Sequence, residues 1–270
     1  MKVSVIIPSY KPADYIYQCL DSLLNQEIDK KHFELIIVLN GCNEPYKSEL
    51  DRYLESNVVG FNYTLYQVDE KGVSNARNIG LNQAKGAFIC FIDDDDYVSP
   101  SYLSELLKYA TPDVVALSNT IAFNDNTKKE DHNYRISKSF IENKEVSINQ
   151  AKKFFSGPGM KLIHRDIIGK RRFDTRFKVG EDSLFMFLIS DQILKCKFTS
   201  KNCVYYRRYR ENSAITSKKS FKEVTINQSR LIFKYTKVYF TNMTRYNFVF
   251  YITRILGAKR SWLHQLKSKG

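Results

Sequence analysis

The sequence is poor in the residues that build zinc sites and disulfide frameworks. Its 270 residues include only four His and five Cys, and their spacings match no zinc-ligand pattern. The cysteines are odd in number, and several lie in apolar runs typical of a protein core. The sequence therefore argues against a disulfide-rich secreted domain, and we expect reduced thiols in a cytoplasmic protein.

Long apolar stretches are also missing. The longest, residues 248–256, contains Thr253 and Arg254 and is shorter than the roughly 20 residues that span a bilayer. The first apolar run, residues 3–7, is too short for the core of a secretion signal. We therefore expect neither a membrane-spanning helix nor a signal peptide.

Acidic residues are outnumbered. Asp and Glu total 29 against 42 Lys and Arg, which gives a formal net charge of +13. Such a balance predicts anionic partners: nucleic acid, a phosphorylated ligand or an acidic membrane surface. Because no nucleic-acid recognition motif accompanies the charge, we do not expect a nucleic-acid partner.

The apolar periodicity of the first hundred residues alternates between two kinds of element. Short strands are predicted at residues 3–7, 33–39, 61–65 and 87–92, with amphipathic helices between them. Strands that alternate with helices predict an α/β fold with a mostly parallel, doubly wound sheet. The regular alternation of strands and helices ends at about residue 112. Residues 217–270 are predicted to form two basic amphipathic helices.

Four consecutive aspartates, Asp93 to Asp96, follow the fourth predicted strand. Like charges this close raise one another's pKa unless a positive group lies among them. Carboxylates are the ligands that Mg²⁺ and Mn²⁺ prefer, and ligands of open α/β sheets bind beyond the carboxyl ends of strands. The pattern favours a cation site, and a solvated acidic turn is the alternative.

A second acidic pair, Glu181 and Asp182, follows Gly180 at the start of a predicted helix. Acidic residues are common there because they interact favourably with the helix dipole. Adjacent helical side chains diverge by about 100°, so only one of the two faces a given ligand.

In six short segments the chain resembles the family 2 glycosyltransferases, nucleotide-sugar enzymes of the GT-A fold. The segments occur in the family's order between residues 3 and 216. They are VSVIIPSY (3–10), GVSNARN (72–78), FIDDDD (91–96), FD (173–174), GED (180–182) and YRENSAIT (209–216).

The resemblance implies a role for each aspartate of the block. It makes Asp95 the ligand of a Mn²⁺ or Mg²⁺ ion that bridges the donor diphosphate, and places Asp93 nearer the ribose or a metal-bound water. Asp96 is expected to support the loop, and Asp94 is expected to be replaceable. Asp182 becomes the base that takes a proton from the acceptor hydroxyl.

The resemblance also implies a set of nucleotide and substrate contacts. Arg77 is expected near the nucleotide, with a surface arginine on a helix as the alternative. Asn40 stands where the family carries a base-reading Asp; an amide cannot supply charge, so the base stays open, with uridine as first choice. Lys161 and Arg210 lie in segments expected to close over the diphosphate. The full set is Pro8, Tyr10, Asn40, Arg77, Asp93, Lys161, Glu181, Arg210 and Ser213.

The implied function is a metal-dependent inverting glycosyltransferase. It would move a sugar from a nucleotide-diphosphate sugar to a hydroxyl of a glycan or lipid-linked acceptor, in bacterial surface polysaccharide synthesis. The Gln-x-x-Arg-Trp signature of processive synthases is absent, which favours addition of one or a few sugars. The alternatives are a non-catalytic nucleotide-sugar-binding module and a sugar nucleotidyltransferase, although the latter's Gly-rich loop is missing after the first strand.

The predicted organisation has two parts. Residues 1–216 form a GT-A catalytic domain, with a nucleotide-sugar-binding half (1–98) and an acceptor-binding half (99–216). Residues 217–270 form a helical extension. Basic amphipathic helices can lie on an anionic membrane, here the inner face of the cell membrane, or pack on the catalytic domain with a solvated basic face; both stay open.

Overall fold

The computed structural model describes residues 1–57, 60–131, 134–210 and 220–267. The strands are β1 (Val3–Ser9), β2 (Phe33–Asn40), β3 (Asn62–Val68), β4 (Phe88–Phe91), β5 (Tyr97–Val98), β6 (Val114–Leu117), β7 (Asn119–Asn124), β8 (Glu130–Asp131), β9 (Glu145–Val146), β10 (Lys161–His164), β11 (Lys195–Phe198) and β12 (Val204–Tyr209). The α-helices are α1 (Tyr15–Leu24), α2 (Tyr46–Asn57), α3 (Val73–Gln83), α4 (Tyr102–Tyr109), α5 (Arg165–Ile168), α6 (Glu181–Leu188), α7 (Phe221–Thr241) and α8 (Phe248–Lys267).

The larger sheet has the strand order β3-β2-β1-β4-β10-β6-β11-β9. Its amino-terminal half, β3-β2-β1-β4, is entirely parallel, and β10 pairs antiparallel with both β4 and β6. Every residue of β1 and β2 is buried. Strands covered on both faces are continuously apolar, which is why these two are rich in Val, Ile and Leu. The predicted α/β fold with a mostly parallel sheet is confirmed.

The strand order reverses at β1, which lies between β2 and β4. In open α/β sheets the carboxyl ends of the strands at such a switch point border a crevice. Three polar segments of the sequence therefore converge there: Ser9 at the end of β1, Asn40 at the end of β2 and the aspartates after β4.

A smaller sheet, in the order β5-β12-β7-β8, lies on the far side of the acidic block. Strand β12 pairs parallel with β7 and antiparallel with β5, and β5 directly follows the four aspartates. This pairing brings the carboxyl end of β12 to the acidic loop.

Helices α7 and α8 form an antiparallel pair that packs on α6. Tyr235 and Phe250 are fully buried, and the Tyr235 ring meets the Phe187 ring of α6 edge-on at 5.3 Å. Asn227 Nδ2 donates to the carbonyl oxygen of Val179 at 2.9 Å, just before α6 begins. The expected helical extension is confirmed, and it packs on the element that carries Asp182. Within the described ranges, none of the helices has the length and apolarity needed to cross a bilayer.

Candidate active site

Asp96 and Arg208 anchor the acidic loop to the smaller sheet. Asp96 is buried, and its Oδ1 accepts a hydrogen bond from the backbone N–H of Arg208 at 2.8 Å. Arg208 Nε donates to the carbonyl oxygen of Asp95 at 2.7 Å. Tyr205, also on β12, accepts a hydrogen bond at its hydroxyl from the backbone N–H of Asp93 at 3.2 Å. These contacts fix the backbone of the loop. They do not use the carboxylate groups of Asp93 and Asp95.

Asp94 connects the acidic loop to the first strand. Its Oδ2 accepts a hydrogen bond from Ser9 Oγ at 2.6 Å. Burial raises the pKa of Asp94 to about 7, and the hydrogen bond from Ser9 opposes that shift. The sequence predicts a replaceable residue at this position, whereas the structure gives its carboxylate a specific partner on β1.

Asp95 forms an ion pair with Arg210, the residue that follows β12. Arg210 Nη2 lies 2.6 Å from Asp95 Oδ2, and its guanidinium stacks over the ring of Tyr15 at 4.3 Å. Burial, reinforced by the charge of Asp93, raises the pKa of Asp95. A carboxylate and a guanidinium are thus held together at the mouth of the crevice, where both can meet a diphosphate.

Arg77 joins the acidic loop to α6. Its Nη2 donates to Asp93 Oδ1 at 2.8 Å, and its Nη1 donates to Asp182 Oδ1 at 2.6 Å. The side chain is only 3% exposed. The alternative of a surface arginine is therefore wrong, because α3 packs against the sheet on this face through Ala76 and Gly80.

Asp182 occupies the second position of α6, and its side chain is 28% exposed. Burial raises the pKa of Asp182, and the neighbouring Arg77 opposes that shift. A carboxylate that is partly desolvated and still open to solvent suits proton transfer. Glu181, the first residue of the helix, is half-buried beside it.

Asn40 connects the ends of the strands rather than facing the crevice. Its Nδ2 donates to the carbonyl oxygen of Ser9 at 2.6 Å, and its Oδ1 accepts from the backbone N–H of Gly72 at 2.8 Å. The side chain is 2% exposed. Since both ends of the amide have partners inside the protein, this geometry does not favour the predicted role in reading the base.

Two of the remaining predicted contacts lie on β1 and just beyond it. Pro8 is buried within β1, in register with Val38 of β2. Tyr10 is exposed, and the ammonium of Lys71 lies 3.9 Å from its ring centroid. A hydrogen bond from Lys71 lowers the pKa of Tyr10. Tyr10 therefore offers an aromatic surface at the end of the sheet, whereas Pro8 contributes only backbone.

Lys161 points into the protein. It is fully buried at the start of β10, and its Nζ donates to the carbonyl oxygens of Gly157 and Gly159 at 2.6 and 2.5 Å. Burial lowers the pKa of Lys161 to about 7. The predicted contact with the diphosphate is therefore replaced by support of the 157–159 turn. Ser213, the last predicted contact, lies outside the described residues.

The donor set of the acidic loop fits a divalent cation completed by a ligand. In the part of the chain that the structure describes, no group of three or more His, Cys, Asp or Glu side chains could enclose a metal. Mg²⁺, however, is commonly held by one or two carboxylates together with waters and substrate phosphates. Asp95 at the crevice mouth, with Asp93 two residues away, offers that partial set.

Residues 4–172 match the family model described as glycosyl transferase family 2. The chain belongs to this family. The matched range includes the parallel half-sheet, the four aspartates after β4 and helix α3.

Curated relatives of the family extend the match beyond residue 172. A poly(ribitol-phosphate) beta-glucosyltransferase of Bacillus spizizenii is 28% identical over 211 residues, covering 76% of this chain and 31% of that protein. A GalNAc(5)-diNAcBac-PP-undecaprenol beta-1,3-glucosyltransferase of Campylobacter jejuni is 27% identical over 215 residues, covering 78% of this chain and 66% of that protein. The chain thus spans only about a third of the Bacillus relative.

The fold is shared with a protein of known structure. The structure of Staphylococcus aureus TarS residues 1–349 in complex with UDP-GlcNAc superposes with a TM-score of 0.71 at 22% identity, covering 87% of this chain and 66% of that one. At this identity the likeness establishes the fold, and it confirms the GT-A architecture expected from the sequence.

Proposed function

We propose that the chain is a metal-dependent inverting glycosyltransferase that takes its sugar from a nucleotide-diphosphate donor. The observation that carries this proposal is the bridge formed by Arg77 between Asp93 and Asp182. The buried guanidinium of Arg77 holds Asp93, the candidate contact to the sugar donor, in a fixed position relative to Asp182, the candidate base. A site that only bound a nucleotide sugar would have no need of the second carboxylate.

In this scheme Asp182 takes the proton from the acceptor hydroxyl, and that oxygen attacks the anomeric carbon from the face opposite the leaving diphosphate. Asp95 would hold the divalent cation, which when bound neutralises charge on the departing diphosphate. Arg210 would contact the same phosphates through its planar guanidinium. Arg77 keeps Asp182 oriented, and Tyr10 offers a ring on which a base can stack.

We propose UDP as the nucleotide and a glycan or lipid-linked acceptor of the bacterial cell surface. TarS, whose fold this chain shares, was solved with UDP-GlcNAc. The names of the Bacillus and Campylobacter relatives give a poly(ribitol-phosphate) and an undecaprenol-linked glycan as acceptors. A sugar nucleotidyltransferase is disfavoured because the turn after β1 contains no glycine.

A thermal-shift screen of nucleotide sugars tests the donor and the metal together. We expect a UDP-sugar with Mn²⁺ to raise the melting temperature of the wild-type protein by several degrees, since binding to the native state stabilises it by mass action. Asp95→Asn should abolish the part of the shift that depends on Mn²⁺. The control is Asp113→Asn, which changes an exposed aspartate after α4. A shift that is the same with and without chelator would contradict the metal assignment.

We also propose that the tip of the α7–α8 hairpin contacts an anionic membrane. Four apolar residues within ten positions are each more than half exposed: Phe240, Met243, Phe248 and Val249. Such patches are rare on monomeric surfaces, and basic residues surround this one. Those residues are Lys234, Lys237 and Arg245. Apolar anchors flanked by cations are typical of helices that lie at a lipid interface.

Vesicle flotation tests the membrane contact. Wild-type protein should float with phosphatidylglycerol vesicles, and Phe240→Ser/Phe248→Ser should bind about tenfold more weakly or worse because each lost ring removes apolar area from the interface. Leu194→Ser is the matched control, since Leu194 is 70% exposed and lies far along the chain from the hairpin. Equal flotation of the two variants would overturn the proposal.

A further inference from the structure

A cavity of about 750 Å³ lies between α6, the α7–α8 pair and residues 152–156. Basic side chains dominate its polar lining. They are Arg135, Lys152, Lys153, Arg254 and Arg260. We call this the basic cavity.

The described lining of the basic cavity carries no acidic side chain. Of the residues that the structure describes, none that lines it is Asp or Glu. Among the residues that the structure describes, none of its five cations lies within ion-pair distance of a carboxylate. Five positive charges around one concave space repel one another, so a bound anion would stabilise the arrangement.

Arg254 is the most constrained of the five cations. Its Nη1 donates to the carbonyl oxygen of Phe155 at 2.9 Å, and its Nη2 donates to that of Lys152 at 3.0 Å. Its Nε is buried without a hydrogen-bond partner in the described structure. Burial, together with the charge of Arg135, lowers the pKa of Arg254. The protein thus positions a guanidinium at the cavity wall and supplies neutral carbonyls, rather than a carboxylate, to hold it.

The basic cavity borders the candidate base. Ser183, which lines the cavity, directly follows Asp182 in α6, and its Oγ lies 3.4 Å from Arg254 Nη1. On the other side, Ser156 also lines the cavity and precedes Gly157. A Cβ at Gly157 would lie 4.0 Å from Asp182 Oδ2. The cations of the cavity therefore lie beside the residues that flank Asp182.

A second, smaller cavity of about 350 Å³ continues the positive surface along α7. It shares Val179 and Gln228 with the basic cavity and adds further cations. These are Lys178, Arg230 and Arg176, of which Arg176 is already paired with Asp174 at 2.6 Å. Its one acidic lining residue, Glu223, closes the capping box at the start of α7 with Ser220. The positive surface thus extends beyond the basic cavity itself.

We infer that the basic cavity binds phosphate groups of the acceptor, so that the acceptor is a phosphodiester-linked or diphosphate-linked glycan. This inference rests on the proposed glycosyl transfer and specifies its second substrate. The donor diphosphate is assigned to Asp95 and Arg210. The cations of the cavity therefore have no role in the proposed donor site and can serve the acceptor. Guanidinium and ammonium groups without carboxylate partners are the usual means of holding phosphate.

Binding of a defined probe tests the inference. With UDP and Mn²⁺ saturating the donor site, a synthetic oligo(glycerol phosphate) is titrated into the 270-residue chain by calorimetry. Lys152→Gln/Lys153→Gln/Arg260→Gln should bind it at least about tenfold more weakly. The three side chains make no hydrogen bond in the described structure, so the variant is expected to fold normally. A control with the same charge loss outside the cavity is Lys31→Gln/Lys85→Gln/Lys170→Gln, all exposed.

A second titration tests whether the phosphate that the cavity binds belongs to a lipid-linked acceptor instead of a soluble oligomer. Polyprenyl diphosphate in phosphatidylcholine vesicles replaces the oligomer, and the same two triple variants are compared. Weaker binding by the cavity variant alone, in either arm, supports the inference and identifies the source. Equal binding by both variants, or no binding by the wild type in either arm, overturns it. Slow release of UDP from the donor in the absence of acceptor should be the same in both variants. If the wild type released no UDP from the donor, that result would instead count against the proposed glycosyl transfer.

Discussion

Asp182→Asn should reduce glycosyl transfer by about a thousandfold while leaving donor binding intact. A positioned general base contributes roughly 10²- to 10⁴-fold to a rate, and an amide cannot accept the proton. The substitution preserves the shape of the side chain and its bond to Arg77, so the UDP-dependent thermal shift should persist. Transfer from a labelled UDP-sugar, measured beside that shift, separates loss of chemistry from loss of binding.

Glu181→Gln is the control for this prediction. It removes the same charge one position earlier in α6, at the same helix terminus. A general effect of charge at the helix start would lower kcat equally in both variants, whereas a base at Asp182 requires a much smaller loss of kcat in Glu181→Gln, because a predicted substrate contact at Glu181 acts on KM. Comparable losses would reject the assignment, and unchanged transfer by Asp182→Asn would favour a non-catalytic or differently catalysed site.

The pH dependence of transfer follows from the same carboxylate. Because burial raises the pKa of Asp182, the base becomes protonated at a higher pH than an exposed aspartate would. Transfer should therefore decline as the pH falls through this raised pKa and should level off above it. The decline should be absent from the residual activity of Asp182→Asn.

The fold was predictable because local pattern and tertiary environment agree in the first half of the chain. Strands β1 and β2 are mostly apolar and are buried along their whole length, so their sequence reports their environment directly. The position of the acidic block after β4 then followed from the general rule for parallel sheets. The same logic located Asp182 at the start of α6, since Gly180 and two acids mark a helix start.

The contacts inside the site were not predictable from local pattern, because they join distant parts of the chain. Arg77 and Asp182 are 105 positions apart, and nothing near Arg77 distinguishes a buried arginine from an exposed one. Asn40 and Lys161 have the right chemistry for a ligand contact, yet their polar atoms are used by neighbouring backbone. Arg208 escaped notice altogether, although its place near the end of a strand beside Arg210 was a usable signal.

Arg77→Gln should be the most destabilising single change in the site. Removing one partner of a buried ion pair costs about 3–5 kcal/mol, because the remaining charges stay desolvated. Since Asp93 and Asp182 keep partial access to water, we expect about 3 kcal/mol, or a fall of about 5 °C in melting temperature for a chain of this size. Calorimetry of the wild type and Arg77→Gln measures it.

A double-mutant cycle shows whether the bridge is the cause. If Arg77 stabilises the protein by neutralising Asp182, then Arg77→Gln/Asp182→Asn should be more stable than the sum of the two single changes predicts, by about 1 kcal/mol or more. Arg176→Gln breaks the exposed pair with Asp174 and should cost less than about 1 kcal/mol. Strict additivity of the free energies in the cycle would mean that Arg77 acts through packing alone. Some other contact would then have to hold Asp93 and Asp182 in their fixed relative positions.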